Sequence, residues 1–131
     1  MSPLRFGLPI QRLEVVDGDT LKATVVLDEY VRLVGIDAPE MRVERERPAA
    51  LVVAAAAKRW IIRQDYVSCN PVGYDKFGHR VLCVVNGSEG RDLATWLLVE
   101  RLVRHYDGAR KDDWPQDELD RIAARASEFD T

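Results

Sequence analysis

Along the first third of the chain, apolar positions come in short β-branched runs, and near residue 47 the period changes. "RLEVV" (12–16), "TLKATVVL" (20–27) and "YVRLVGI" (30–36) are separated by the polar turns "DGD" and "DE", a pattern that predicts a meander of three strands. Beyond Arg47 the pattern becomes helical. Pro48 suits a first helical turn, and "AALVVAAAAKRWIIR" is helical in composition and length, its alanines allowing close approach to a curved sheet. "DYVSCNPV" (65–72) and "RVLCVV" (80–85) read as a hairpin about the turn "DKFGHR". "RDLATWLLVERL" (91–102) predicts a second helix with Asp92 as its N-cap. A third starts near "DDWPQDEL": Asp113 caps it, Pro115 lies in its first turn, and Leu119, Ile122, Ala123 and Ala126 form one stripe.

The order is therefore three strands, a helix, two strands and two helices. This is an α+β fold, mainly β, in one domain over residues 1–131, with its core in 12–108 and a C-terminal helix at about 113–129. Five strands with a helix between the third and fourth meet the needs of a five-stranded Greek-key barrel of the OB type with three helices. Hydrophobic residues make up 47% of the chain and charged ones 31%, a globular balance that excludes disorder as the organising state. The N-terminal stretch lacks an apolar leader, and "AALVVAAAA" is too short to span a bilayer, so the expectation is a cytoplasmic protein without membrane contact. A leader lost by trimming would make it secreted instead.

Net charge is −3, a poor footprint for binding nucleic acid by charge alone. Phosphate chemistry here requires local arginines and a divalent metal. Cys69 and Cys83 lack metal-ligand spacing and fall in the two strands of the predicted hairpin, where two buried thiols are the default over a bridge.

The chemistry-bearing residues are concentrated in "VVDGDT" (15–20) and "VRLVGIDAPEMR" (31–42). Asp17 and Asp19, two apart in extended chain, point to one face, and Asp37 and Glu40 bracket "AP". Each piece has an ordinary reading: "DG" as a hairpin turn, "DAPE" as a strand end, Arg32 as an outward strand residue. Four acids near two strand ends, with an arginine in the strand between, instead suit a hard divalent cation, for which oxygen ligands favour calcium or magnesium.

"VDGDT", "RLVGIDAPE" and "DKFG" followed by a basic residue, in that order, resemble the staphylococcal (micrococcal) nuclease family over roughly residues 12–108. The resemblance implies an OB barrel and a calcium-dependent, sugar-nonspecific endonuclease that leaves 3′-phosphate products, magnesium being the less favoured ion. It implies calcium ligation by Asp19, Asp37 and the backbone carbonyl of Ala38, with Asp17 and Thr20 in support. Glu40 would orient the attacking water and Arg32 would grip the phosphate. Phe77 and Tyr106 are candidates for stacking a base of single-stranded or frayed DNA or RNA, and the implied state is a monomer.

One position departs from the family pattern. Its second catalytic arginine directly follows the turn glycine; here that residue is His79, and Arg80 comes one later. Side chains alternate along a strand, so either His79 faces the site, or a bulge at Gly78 turns Arg80 inward, or neither does. Losing one charged donor costs on the order of 10²–10³ in rate. The alternatives are accordingly an attenuated nuclease and an OB module that holds single-stranded nucleic acid or a peptide without cutting it. Arg101 stands where the family has glycine just past a helix, a left-handed cap costing about 1 kcal/mol. The charged stretch 110–125 reads as a solvated helix face, Trp60, Trp96 and Trp114 as packing residues, and His105 with Tyr106 as surface packing near the cleft.

Overall fold

The computed structural model describes residues 10–25, 29–75 and 80–130. Among them the chain forms a mixed α+β structure with seven strands and three α-helices. Strand β1 (Ile10–Asp17) pairs antiparallel with β2 (Thr20–Val25). Strand β3 (Val31–Leu33) pairs in parallel with β6 (Val81–Gly87), which also pairs antiparallel with β5 (Val67–Tyr74). Strand β4 (Ile36–Asp37) pairs antiparallel with β7 (Arg104–His105). These are three open sheets, ordered β1-β2, β3-β6-β5 and β4-β7.

The expected meander is therefore two strands, not three. The third strand leaves the hairpin and lies beside β6, some fifty residues later in sequence. Local alternation identifies a strand but not its partner, because pairing is decided by burial against distant elements. The hairpin of β5 and β6 forms as expected, closed at its base by Asp75 N donating to Arg80 O at 3.0 Å.

The core lies chiefly among the helices. Helix α1 (Arg47–Arg63) buries Ala49, Ala50, Val52, Val53, Ala56 and Trp60 on one stripe, at the helical spacing of three and four. Pro48 sits in its first turn, where a missing amide hydrogen costs nothing. Against this stripe pack Leu93, Ala94 and Leu97 of α2 (Leu93–Val99), Leu119 and Ile122 of α3 (Gln116–Ala123), and Ile36, Leu102, Val103, Trp114 and Phe129. Among the described residues, no helix is long and apolar enough to cross a membrane.

Helix α2 is shorter than its apolar run because both ends are capped. Asp92 accepts from Thr95 N at 3.0 Å and from Thr95 Oγ1 at 2.6 Å, as its position predicts. At the other end Arg101 takes φ 60°, with Arg101 N donating to Leu98 O and Leu102 N to Leu97 O. This pair of bonds is a Schellman closure, and the residue in its left-handed position is the arginine expected there.

Asp113 does not cap α3. The N-cap is Pro115, extended at φ −61° and ψ 139°, and helix begins at Gln116. Trp114 is buried and its carbonyl accepts from Arg45 Nη2 at 2.8 Å, which holds the preceding segment extended against the α1 entrance. A residue before proline disfavours helical angles in any case. In the stripe, Leu119 and Ile122 are buried, whereas Ala126 is exposed in a 3-10 turn (Ala126–Glu128). Cys69 and Cys83 are free thiols whose sulfurs lie 2.7 Å apart. Cys83 is fully buried as expected; Cys69 is exposed, because β5 is the outer strand of its sheet.

Candidate functional site

The pairing of β4 with β7 sets Asp37 directly opposite Arg104. Opposite charges on facing strand positions attract, and here the contact is bidentate in nitrogen: Arg104 Nε and Nη2 both donate to Asp37 Oδ2, at 3.0 and 2.9 Å. Asp37 is 4% exposed, the one buried charged residue among those described. Burying a carboxylate is costly unless it is paired, and a second cation completes the compensation. Lys111 Nζ lies 3.2 Å from Asp37 Oδ1 and 3.6 Å from Glu40 Oε1. Glu40 Oε2 in turn accepts from Arg42 Nε at 3.1 Å.

Around this network is a cleft of about 320 Å³, lined among others by Asp37, Ala38, Glu40, Arg104, Lys111 and Trp114. Its walls are fixed by contacts far apart in sequence. The Arg104 guanidinium lies 4.3 Å from the Trp114 ring centre and also donates to the carbonyls of Asp112 and Asp113. Glu46, at the start of α1, accepts from the Glu40 amide at 2.9 Å and so pins the "DAPE" turn to the helix entrance.

Arg32 joins the cleft through an aromatic ring. Its guanidinium lies 5.4 Å from the Tyr106 ring centre, and Lys111 Nζ lies 5.6 Å from the same ring, so two cations flank one phenol. Arg32 Nη1 also donates to Ile36 O at 3.1 Å and Leu33 O at 3.3 Å, which orients the side chain along the β3–β4 corner. The Tyr106 amide donates to Gly35 O at 2.9 Å, fixing the ring beside that corner.

The structure thus brings together Asp37, Ala38 and Glu40, with Arg32 and Tyr106 adjoining. It leaves Asp17, Asp19 and Thr20 on the β1–β2 turn, exposed, where Thr20 Oγ1 donates to Asp19 Oδ1 at 3.1 Å. Among the described residues no three His, Cys, Asp or Glu side chains are gathered as a metal group. Asp37 Oδ1 and Glu40 Oε1 are hard oxygen donors that face one cation position, taken here by the Lys111 ammonium. Arg80 is held by Asp75, Nε to Oδ2, at 2.8 Å. His79 and Phe77 lie outside the described residues.

Sequence reading missed Arg104 and Lys111, which converge on Asp37 from 67 and 74 positions away. Lys111 corrects the reading of 110–125 as a solvated face, since its ammonium reaches back to the "DAPE" carboxylates. The nearest available signal was the acid cluster itself, which required cations from somewhere in the chain.

A second, larger groove of about 560 Å³ lies at the far end of α1, lined by Arg59, Trp60, Arg63, Gln64, Arg91 and Trp96 among others. Its floor is a tight junction: Glu89 N donates to Gln64 Oε1, and Gly87 passes so close to Gln64 and Trp60 that any side chain there would collide. Its two acids are Glu89 and Glu100, and Glu100 is paired with Arg125 at 2.9 Å. No known protein-family model and no curated protein sequence matches the chain, so its functional reading stands on the Asp37–Glu40 cleft and the residues that frame it.

Proposed function

We propose that the chain is a phosphodiesterase acting on single-stranded DNA or RNA, with the Asp37–Glu40 cleft as its centre. The observation that carries this reading is the convergence of a buried carboxylate, a second acid and Lys111 at one cleft, with Arg32 adjoining through the Tyr106 ring that Lys111 also approaches. Hydrolysis of a phosphodiester requires an acceptor for the proton of water and cationic donors for the charge that builds on the phosphoryl oxygens. Glu40, half-exposed at the cleft, is the group to orient and deprotonate that water. Arg32 suits the phosphate because its planar fork meets two oxygens and keeps its charge at any working pH.

Calcium is the cofactor this reading implies, held by Asp37 and the Ala38 carbonyl together with Asp19; when bound it supplies Lewis acidity at a non-bridging oxygen. Bringing Asp19 to the cleft calls for closure of the OB-type barrel. Support comes from the hairpin's own pattern. Leu13, Val15, Leu21 and Ala23 share one face of β1–β2 and Arg12, Glu14, Lys22 and Thr24 the other, an alternation that suits one buried face. In the open arrangement that apolar face is exposed. Joining β2 to β3 and β1 to β5 would cover it and complete a five-stranded barrel.

The test is cleavage of a labelled single-stranded oligonucleotide with calcium and with a chelator. Glu40→Gln is the variant to use, and its cutting should fall by about 10²–10⁴ if Glu40 is the base. Asp37→Ala confounds chemistry with folding, because it strands Arg104 beside a buried void. Cutting that persists in chelator, or that Glu40→Gln leaves intact, would overturn the reading. A binding module without cleavage is the second reading, favoured by the cations already seated on both acids. It predicts oligonucleotide binding with no product on long incubation.

A further inference from the structure

We infer that Lys111 is the second phosphate-binding cation of the cleft, leaving the carboxylates for the phosphate when substrate enters; the inference rests on the phosphodiester reading above. The cations that frame the cleft differ in how firmly they are held. Arg104 spends Nε and Nη2 on Asp37, reaches the Asp112 and Asp113 carbonyls, and lies over Trp114. Arg45 is bound to the Trp114 carbonyl and to Gln116 Oε1. Arg104 thus has four of its five N–H donors engaged, and Arg45 is anchored by both terminal nitrogens to the entrance of α3.

Lys111 is different. Its side chain is 39% exposed, and its ammonium sits at 3.2 and 3.6 Å from two acids, the second too long for a hydrogen bond. An ammonium on a four-carbon stem is a mobile point charge with three donors, unlike a guanidinium fixed by its fork. It also lies 5.6 Å from the Tyr106 ring centre, and Arg32, the residue proposed to grip the phosphate, lies 5.4 Å from the same ring. A phosphate entering beside Tyr106 would meet both.

The exchange strands neither acid. When Lys111 moves, Asp37 keeps the bidentate hold of Arg104, and Glu40 keeps Arg42 at 3.1 Å. Asp37 Oδ1 and Glu40 Oε1 then face the cleft as free acceptors, Glu40 for the water. The substrate thereby uncovers the groups that act on it. The same arrangement answers the departure at position 79, where histidine follows the turn glycine, while Arg80 is already committed to Asp75. The second cation comes from the β7–α3 connection instead of from the strand after the turn.

The test is anisotropy of a labelled single-stranded oligonucleotide in chelator, so that the strand is not cut, over a series of salt concentrations. Wild type is compared with Lys111→Gln, Lys111→Arg and Lys58→Gln, the last an exposed lysine of α1. Lys111→Gln should make the slope of log affinity against log salt shallower by about 0.7, the loss of one phosphate contact to a single strand. Lys111→Arg should restore the slope, and Lys58→Gln should leave it unchanged. A merely structural lysine would not move this slope while thermal unfolding stays at the wild-type midpoint. Wild-type binding with an unaltered slope in Lys111→Gln would overturn the role of Lys111 alone. A wild type that does not bind would overturn the phosphodiester reading with it.

Discussion

Asp37 shows how one buried charge organises its surroundings. A carboxylate with this little solvent contact requires partners, and it recruits Arg104 across the β4–β7 ladder and Lys111 from the following connection. The recruits were illegible because nothing in "IDAPE" says which distant cation will serve; the need was legible, the supplier was not. Cys83 is the opposite case, a group whose environment makes it inert. Burial, aided by contact with the Cys69 sulfur, pushes its thiol up to about 12 from an ordinary 9.0. The unfolded chain loses that proton first, so stability is intact below pH 9 and falls as pH rises from about 9 towards 12. Alkaline denaturant titrations should show this fall, and Cys83→Ala or Cys83→Val should flatten it. A wild-type curve without the fall in that window would argue against the buried thiol.

At the scale of elements, the most legible features are those settled within a few residues. Asp92 before an apolar helix is a cap in the sequence and in the structure. Pro48 likewise announces the first turn of α1. Arg101 is the instructive one, because its strain was implied by the resemblance, which places glycine there, and appears as φ 60°. Arg101→Gly should therefore raise stability by about 1 kcal/mol, seen as a higher urea midpoint at unchanged slope. Its carbonyl accepts from Arg121 Nη2 at 2.7 Å, a backbone contact that glycine retains. A lower midpoint would mean that the arginine side chain contributes more than the turn costs. The start of α3 was misread because Asp113 looks like a cap, whereas the burial of Trp114 and its tie to Arg45 keep that stretch extended.

Taken whole, the molecule divides between a helix-centred core and sheets whose apolar faces are unequally covered. The sequence carries the runs of β1, β2, β5 and β6, but the break of 30–36 into β3 and β4, the short β7 and the parallel β3–β6 pair depend on contacts between segments far apart in the chain. The proposed barrel closure makes a claim about the entire chain. Leu13, 51% exposed in the open arrangement, would become a core residue once the hairpin seats. Leu13→Lys should then destabilise the protein by about 1.5–3 kcal/mol in urea unfolding, the scale of one buried leucine side chain. Placing the charge at Glu14→Lys, on the polar face, should change little. Equal, negligible effects at both positions would mean that the hairpin stands apart from the rest of the fold.

The stacking of Trp114 on Arg104 carries an optical consequence. Trp60 and Trp96 line the groove at the far end of α1, whereas Trp114 alone among the three lines the acid cleft, 4.3 Å from the guanidinium that holds Asp37. Indole emission responds to nearby charge, so events at Asp37 are transmitted to this ring through a single side chain. The cleft contains its own intrinsic reporter. A variant in which Trp60 and Trp96 are replaced by phenylalanine would emit from Trp114 only, and the arrival of a polyanion would be visible as a change in its colour.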